Sequence, residues 1–229
     1  MAGLLEAAMA ETDDYFAVRY DGRCEWLVGR AFNPRTGRQT LGASDAGVVE
    51  GVSRFKTAQE LYDERRGWRT AADLSLNPNV ARGVASEPLL RNLFRVEHPD
   101  YEVADGTNVV FYSKRWPWAS ASLDSILRYG GMLGVHEIKS VTWSSKWRGE
   151  FLPDDYFLQV VHQLMVTGWG FATLQARVIG NSLTTERLYS YSREQVLEQG
   201  QALMEDELKF ITAVERGDGL SCYKIPIGI

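Results

Sequence analysis

Ser122-Leu123-Asp124-Ser125-Ile126-Leu127-Arg128-Tyr129-Gly130-Gly131-Met132-Leu133-Gly134-Val135-His136-Glu137-Ile138-Lys139 reads as two strands joined by a tight turn. Residues 120–127 and 133–140 have strand character, and Gly130-Gly131 suits a two-residue hairpin turn that needs positive φ at both central positions. Such a turn fixes the register. With Tyr129 facing Met132, Asp124 falls opposite Glu137 and Ser122 opposite Lys139. Side chains alternate along a strand, so Ser122, Asp124, Glu137 and Lys139 share one face, and Leu123 and Ile138 the other. Directly opposed side chains have Cβ atoms roughly 5 Å apart, and like charges so placed destabilise the pair.

A divalent cation that prefers oxygen ligands would offset this repulsion, and Mg²⁺ commonly takes one or two carboxylates with waters and phosphate oxygens. Lys139 beside it could orient or activate a water. This is the layout of a metal-dependent nuclease site. The competing reading is a charged pair on an amphipathic strand, and Glu207-Leu208-Lys209 repeats the Glu-x-Lys pattern inside a helical stretch. The tripeptide alone does not separate the two; the strand setting of Val135, Ile138 and Val141, with Asp124 delivered opposite, favours the first.

The 229 residues, 45% hydrophobic and 24% charged, suffice for one substantial core. The expected organisation is a single domain over 1–229, with an appendage at 1–25, a core at 26–192 and a helix and tail at 193–229. Cys24 and Cys222 lie far apart without a CxxC pairing, as expected of reduced thiols rather than a zinc or iron–sulfur centre. Residues 1–14 are acidic and lack the basic start of a secretory signal, and no apolar run approaches a membrane span, so the expectation is a cytoplasmic protein. The net charge of −5 is unfavourable for nucleic-acid binding taken as a whole. Its distribution is not, because Arg30, Arg35, Arg38, Arg54, Lys56, Arg65, Arg66, Arg69 and Arg82 crowd residues 19–95 while the acids gather towards both ends.

The local patterns give an order of elements. Helices are expected at 4–10, 44–49, 79–96, 154–166 and 193–214. Another, reaching 66, opens on the Thr57-Ala58-Gln59-Glu60 capping box. Pro88 should bend the 79–96 helix or divide its turns. Residues 24–29 lead into a turn-rich loop at 33–38. Strands are expected at 101–103, 109–112, 171–179 and 187–191 beside the hairpin. The sum is an α/β or α+β fold with a mixed central sheet flanked by helices. On the 79–96 helix Gly83, Glu87 and Arg91 share a face, so Glu87 could add a carboxylate or simply pair with Arg91. On the 154–166 helix Gln159 and Gln163 share a stripe with Tyr156, opposite Val161, Leu164 and Met165.

Five separated motifs carry a resemblance: Gly42-Ala43-Ser44-Asp45, Ala81-Arg82-Gly83 leading to Glu87-Pro88, Ala121-Ser122-Leu123-Asp124, Glu137-Ile138-Lys139, and Gln159 to Gly168. In this order, over about residues 26–170, they resemble the YqaJ-type viral recombinase family, related to the lambda-type phage exonucleases. The resemblance implies a restriction-endonuclease-like core with Asp124, Glu137, Lys139 and Gln159 as catalytic residues. It implies Glu87, Asp124, Glu137 and the backbone carbonyl of Ile138 as ligands of one or two Mg²⁺ ions, with Mn²⁺ a possible substitute. It places Arg30, Ser44 and Ser122 where lambda-type enzymes bind the 5′-phosphate of a duplex end. One departure is the turn-rich 33–38 segment, which separates Arg30 from Ser44 by more than the lambda type does. The aromatic and basic run from Trp143 to Arg148 suits either stacking on a frayed end or a subunit contact.

The implied reaction is hydrolysis of double-stranded DNA ends, 5′ to 3′, with Lys139, its pKa lowered by the adjacent cations, orienting or deprotonating the water and Gln159 positioning one of them. A ring-shaped homotrimer and a partner that anneals the exposed single strand are implied likewise, in the cytoplasm of a bacterial host. RecB-like exonucleases share the core motif, a junction-cleaving endonuclease would act on branched or circular DNA, and a non-catalytic DNA-binding subunit would not need the intact Asp124, Glu137 and Lys139.

Overall fold

The computed structural model describes residues 3–74, 77–147 and 149–220; Arg148 and Cys222 lie outside them. In chain order the elements are α1 (Leu4–Met9), β1 (Tyr15–Arg19), α2 (Arg23–Ala31), β2 (Leu41–Gly42), α3 (Ala43–Val49), α4 (Ala58–Arg65), α5 (Pro78–Glu97), β3 (Glu102–Asp105), β4 (Val109–Ser113), β5 (Ala119–Ala121), β6 (Ser125–Tyr129), β7 (Met132–Thr142), α6 (Asp154–Thr167), β8 (Phe171–Ile179), β9 (Thr184–Ser192) and α7 (Leu197–Arg216). The mixed α/β class is as expected, but the strands form two sheets. One runs β1-β4-β5-β2, the other β3-β6-β7-β8-β9, and each mixes parallel with antiparallel pairs.

The hairpin register is the expected one: Tyr129 pairs Met132 and Ser125 pairs His136, around glycines with φ of 56° and 82°. The single strand expected over 120–127 is not there. Residues 119–121 belong to the first sheet and 125–129 to the second, so Ser122, Leu123 and Asp124 bridge the two. The backbone partners of this bridge come from elsewhere: the Asp124 carbonyl accepts from the Gly106 N–H and the Arg91 guanidinium.

Strand β7 lies centrally, antiparallel to β6 and parallel to β8, and its residues from Gly134 to Ile138 are all buried. A strand covered on both faces must satisfy an ionisable side chain internally, which makes buried Glu137 informative. Helix α6 packs against α3, α7, β4, β5 and β8. Asp154 and Asp155 in its first turn complement the helix dipole, and Gly168 at φ 69° ends it. Helix α5 opens on an Asn77 cap with Pro78 in its first turn and runs through Pro88 as one helix. The Thr57 capping box forms as expected. Residues 24–29 lie inside helix α2, strands β1 and β2 had no counterpart in the sequence reading, and the last helix begins at Leu197 rather than 193.

Candidate active site

Strand β7 supplies Glu137, Ile138 and Lys139. Glu137 is 3% exposed and receives three donors. Lys139 Nζ lies 2.5 Å and Gln159 Nε2 2.6 Å from its Oε1, and Gln163 Nε2 lies 2.7 Å from its Oε2. The two glutamines stand one turn apart on α6, so one helix face grips both oxygens of a single carboxylate. Asp124, at the bridge between sheets, reaches back to β7 and accepts the Ile138 N–H at 2.7 Å through Oδ2. The like charges expected to face one another are thus separated by partners: Asp124 leans on main chain while Glu137 turns to Lys139 and the glutamines.

The charge balance remains uneven. Burial, with Glu137 and Glu87 nearby, pushes the Asp124 carboxyl well above its usual range, against Lys139 and the Ile138 N–H. Glu87, on α5, is raised by burial and by Glu137, so it faces the same site closely enough to feel its charge. Among the described residues no three carboxylate, histidine or cysteine side chains close into a cage for a cation. The donors present are hard carboxylate oxygens, which suit Mg²⁺ or Mn²⁺ rather than a softer metal. They fit such an ion. The lowering of the Lys139 pKa expected from adjacent cations is separate from the effect of the protein's own charges. Burial acts in that direction, but Glu137 and Asp124 outweigh it and hold the ammonium charged.

Arg91 went unassigned in the sequence beyond a possible partnership with Glu87. It is instead the buried anchor of the bridge, with Nε 2.9 Å from Ser125 Oγ and a terminal nitrogen 2.8 Å from the Asp124 carbonyl, and it pairs with Asp105 at 2.8 Å. Gln163 likewise reads as one more polar residue of a stripe until the fold shows its partners, which include the Ser122 carbonyl at 3.3 Å. The four-residue spacings Glu87/Arg91 and Gln159/Gln163 were the available signals.

Arg30 and Ser44 do come together, at 3.4 Å. The extra segment between them folds back on itself, with Phe32 bridged to Gln39 and the Asn33 N–H bonded to the Arg38 carbonyl, so its length leaves the ends adjacent. Arg30 stacks 4.6 Å from the Trp26 ring centre and lines an open cleft with Leu27, Ala31, Gly42, Ser44, Asp45 and Arg65. Burial lowers its pKa, against Asp45, Glu137 and Asp124, which places the cleft beside the carboxylates. Ser122 has a buried Oγ without a hydrogen-bond partner. Within the Trp143 to Arg148 run, Trp143 is exposed and Trp147 is buried against Tyr156; the Tyr156 ring also lies 5.3 Å from Lys139 Nζ and 4.1 Å from Lys146 Nζ.

The YqaJ-like viral recombinase domain matches residues 25–170. The chain belongs to that family. A curated YqaJ-like relative, the uncharacterized YqaJ protein of Bacillus subtilis, is 24% identical over 153 residues, covering 64% of this chain and 43% of its own length. The chain therefore spans less than half of that relative. Among solved structures, the alkaline exonuclease LHK-Exo of Laribacter hongkongensis superposes with a TM-score of 0.60 at 16% identity, over 84% of this chain and 94% of that one. A phage-related exonuclease of Haemophilus somnus gives 0.53 at 9% identity, over 80% and 97%. At such identities the YqaJ-like chain shares their fold. Among its described residues, no helix is long and apolar enough to cross a membrane.

Proposed function

We propose that this protein is a metal-dependent deoxyribonuclease that removes nucleotides from linear double-stranded DNA, 5′ to 3′, leaving 3′ single-stranded tails for recombination by strand annealing. The observation that carries this reading is the convergence on Glu137 of Lys139, Gln159 and Gln163, with Asp124 bonded to the intervening Ile138 N–H. Two acids, a lysine and two glutamines from three different elements meet at one buried point, an arrangement that metal-assisted phosphodiester hydrolysis would use.

In the reaction a water oxygen bonds to phosphorus and the bond from phosphorus to the 3′ oxygen breaks, the water's proton passing ultimately to the leaving oxygen. Asp124, Glu137, the Ile138 carbonyl and Glu87 would hold one or two Mg²⁺ or Mn²⁺ ions, which when bound polarise the scissile phosphate and stabilise the leaving oxygen. Lys139 orients or deprotonates the attacking water. Gln159, bonded to the same Glu137 oxygen that Lys139 meets, positions Lys139 or the water. Arg30, Ser44 and Ser122 receive the 5′-phosphate, for which a guanidinium and hydroxyl donors are suited. Each cut leaves a new 5′-phosphorylated end, so the same pocket serves successive rounds. Family membership extends the proposal to a homotrimer encircling DNA, a single-strand annealing partner and work in the cytoplasm of a bacterial host.

The test is a linear duplex labelled at a 5′-phosphorylated end, incubated with Mg²⁺ and either the native protein or Lys139→Ala. Progressive loss of duplex with the native chain and at least a hundredfold slower loss with the variant is expected, about the contribution of one general acid–base group. An intact duplex, or equal loss with both proteins, rules the reading out.

A further inference from the structure

The cleft that holds Arg30 contains a second guanidinium, from Arg65 in the last turn of α4. We propose that Arg65 is a specificity-determining residue that binds the terminal phosphate together with Arg30, and that Asp45 is the anchor that aims it. This rests on the reading of the cleft as a phosphate pocket.

The geometry supports a divided role for the two arginines. Among the described residues Arg30 forms no ion pair; its polar partner is Ser44, and its plane rests on Trp26. Arg65 gives one terminal nitrogen to Asp45 Oδ2 at 2.7 Å, and the same oxygen accepts the Gly42 N–H at 3.1 Å. Asp45 is thereby fixed by α3 and fixes Arg65 in turn. A guanidinium has five N–H donors in a rigid fork, and beyond the bond to Asp45 and the buried Nε its terminal nitrogens keep donors for a tetrahedral oxyanion. With two arginines against one carboxylate, this part of the cleft carries one net positive charge. That charge is complementary to a phosphate monoester, which carries up to two negative charges. A Cβ on Gly42 would lie 3.6 Å from the Arg30 terminal nitrogen, in ordinary van der Waals contact, so glycine leaves that side of the guanidinium uncovered. The backbone of Arg65 is held as well, its carbonyl accepting from Gln39 Nε2 at 3.0 Å. That bond joins α4 to the returning end of the 33–38 segment and positions the helix end that carries Arg65.

The inference predicts that the fork of Arg65, and not merely its charge, sets the preference for phosphorylated ends. Fluorescence anisotropy with a short labelled duplex bearing either a 5′-phosphate or a 5′-hydroxyl, in Ca²⁺ to suppress cleavage, measures that preference directly. The native chain should bind the phosphorylated end more tightly. Arg65→Gln should reduce the ratio of the two affinities about tenfold or more, the usual worth of hydrogen bonds to a charged group. Arg65→Lys, which keeps the ion pair with Asp45 and so guards against simple misfolding, should fall between them. An unchanged ratio in Arg65→Gln, or full preference in Arg65→Lys with loss only in Arg65→Gln, overturns the role of the fork. A native chain indifferent to the phosphate overturns the proposal while leaving duplex cleavage untouched. Preference for the phosphate that disappears in Arg65→Gln, in a protein that cuts no DNA, would uphold this inference and dismiss the nuclease reading.

Discussion

Gln163 and Glu50 illustrate how much depends on single polar groups. Gln163 is fully buried and donates to both Glu137 Oε2 and the Ser122 carbonyl. Gln163→Leu removes both bonds, with an expected stability loss of about 1–3 kcal/mol and cleavage slowed at least about tenfold. Gln163→Glu should be slower still, since a second carboxylate would face Glu137. Thermal melts and a duplex-loss assay check both, and a fully active leucine variant would show that Glu137 needs no help from α6. Glu50 is a different case. Burial, then Asp206 and Glu207 on α7, push its carboxyl up to about 7, with Lys209 opposing. Between its ordinary value and that point the folded chain holds a proton that the unfolded chain has released, so stability falls as pH rises through this window and levels off above it. Glu50→Gln should melt with the native chain at pH about 4 and be more stable by about 1 kcal/mol at pH about 8, allowing for partial solvent screening. A difference independent of pH would refute the assignment.

At the level of elements, the hairpin between β6 and β7 was legible because its turn is written in two glycines with a conformational demand of their own. Gly131→Val, at φ 82°, should cost about 1–2 kcal/mol in urea unfolding, whereas Gly130→Asn at φ 56° should be nearly neutral. What the sequence could not reveal was where the preceding strand ends. Ala121-Ser122-Leu123-Asp124-Ser125 continues the strand pattern, and the break arises from Arg91 and Gly106, distant in the chain, taking over the Asp124 carbonyl. Helix α2 was missed for a related reason: Leu27 and Val28 are 47% and 63% exposed, so its apolar residues do not trace a buried stripe. Strand β2 has two residues and no pattern to read. The site was legible in the same proportion. Asp124, Glu137 and Lys139 follow from the turn and its register. Gln159 and Glu87 needed the family resemblance, and Arg91, Gln163 and Arg65 needed the fold, because an arginine or glutamine on a helix face carries no local mark of its partner.

Across the whole molecule, the second Glu-x-Lys tripeptide has a job unlike the first. Glu207 is fully buried in α7 and meets His162 of α6 at 2.8 Å, while Lys209 is exposed beside Asp206. The Ser120 carbonyl, 3.0 Å from His162 Nε2, can only accept, so that nitrogen carries a proton and the other shared proton lies between Nδ1 and Glu207. One ring thus ties the last helix to α6 and to strand β5. His162→Leu leaves Glu207 buried and unpaired and should destabilise by about 3–5 kcal/mol. The double change with Glu207→Leu should recover most of that loss, read from a denaturation cycle of the four proteins. Additive losses would mean the pair is incidental. The bond from the Ile138 amide to the Asp124 carboxylate has a use of its own. An amide proton shared with a carboxylate resonates according to that group's ionisation and ligation. In an isotope-labelled sample, one backbone cross-peak would therefore follow the acid at the junction of the two sheets, with no probe attached and no turnover required.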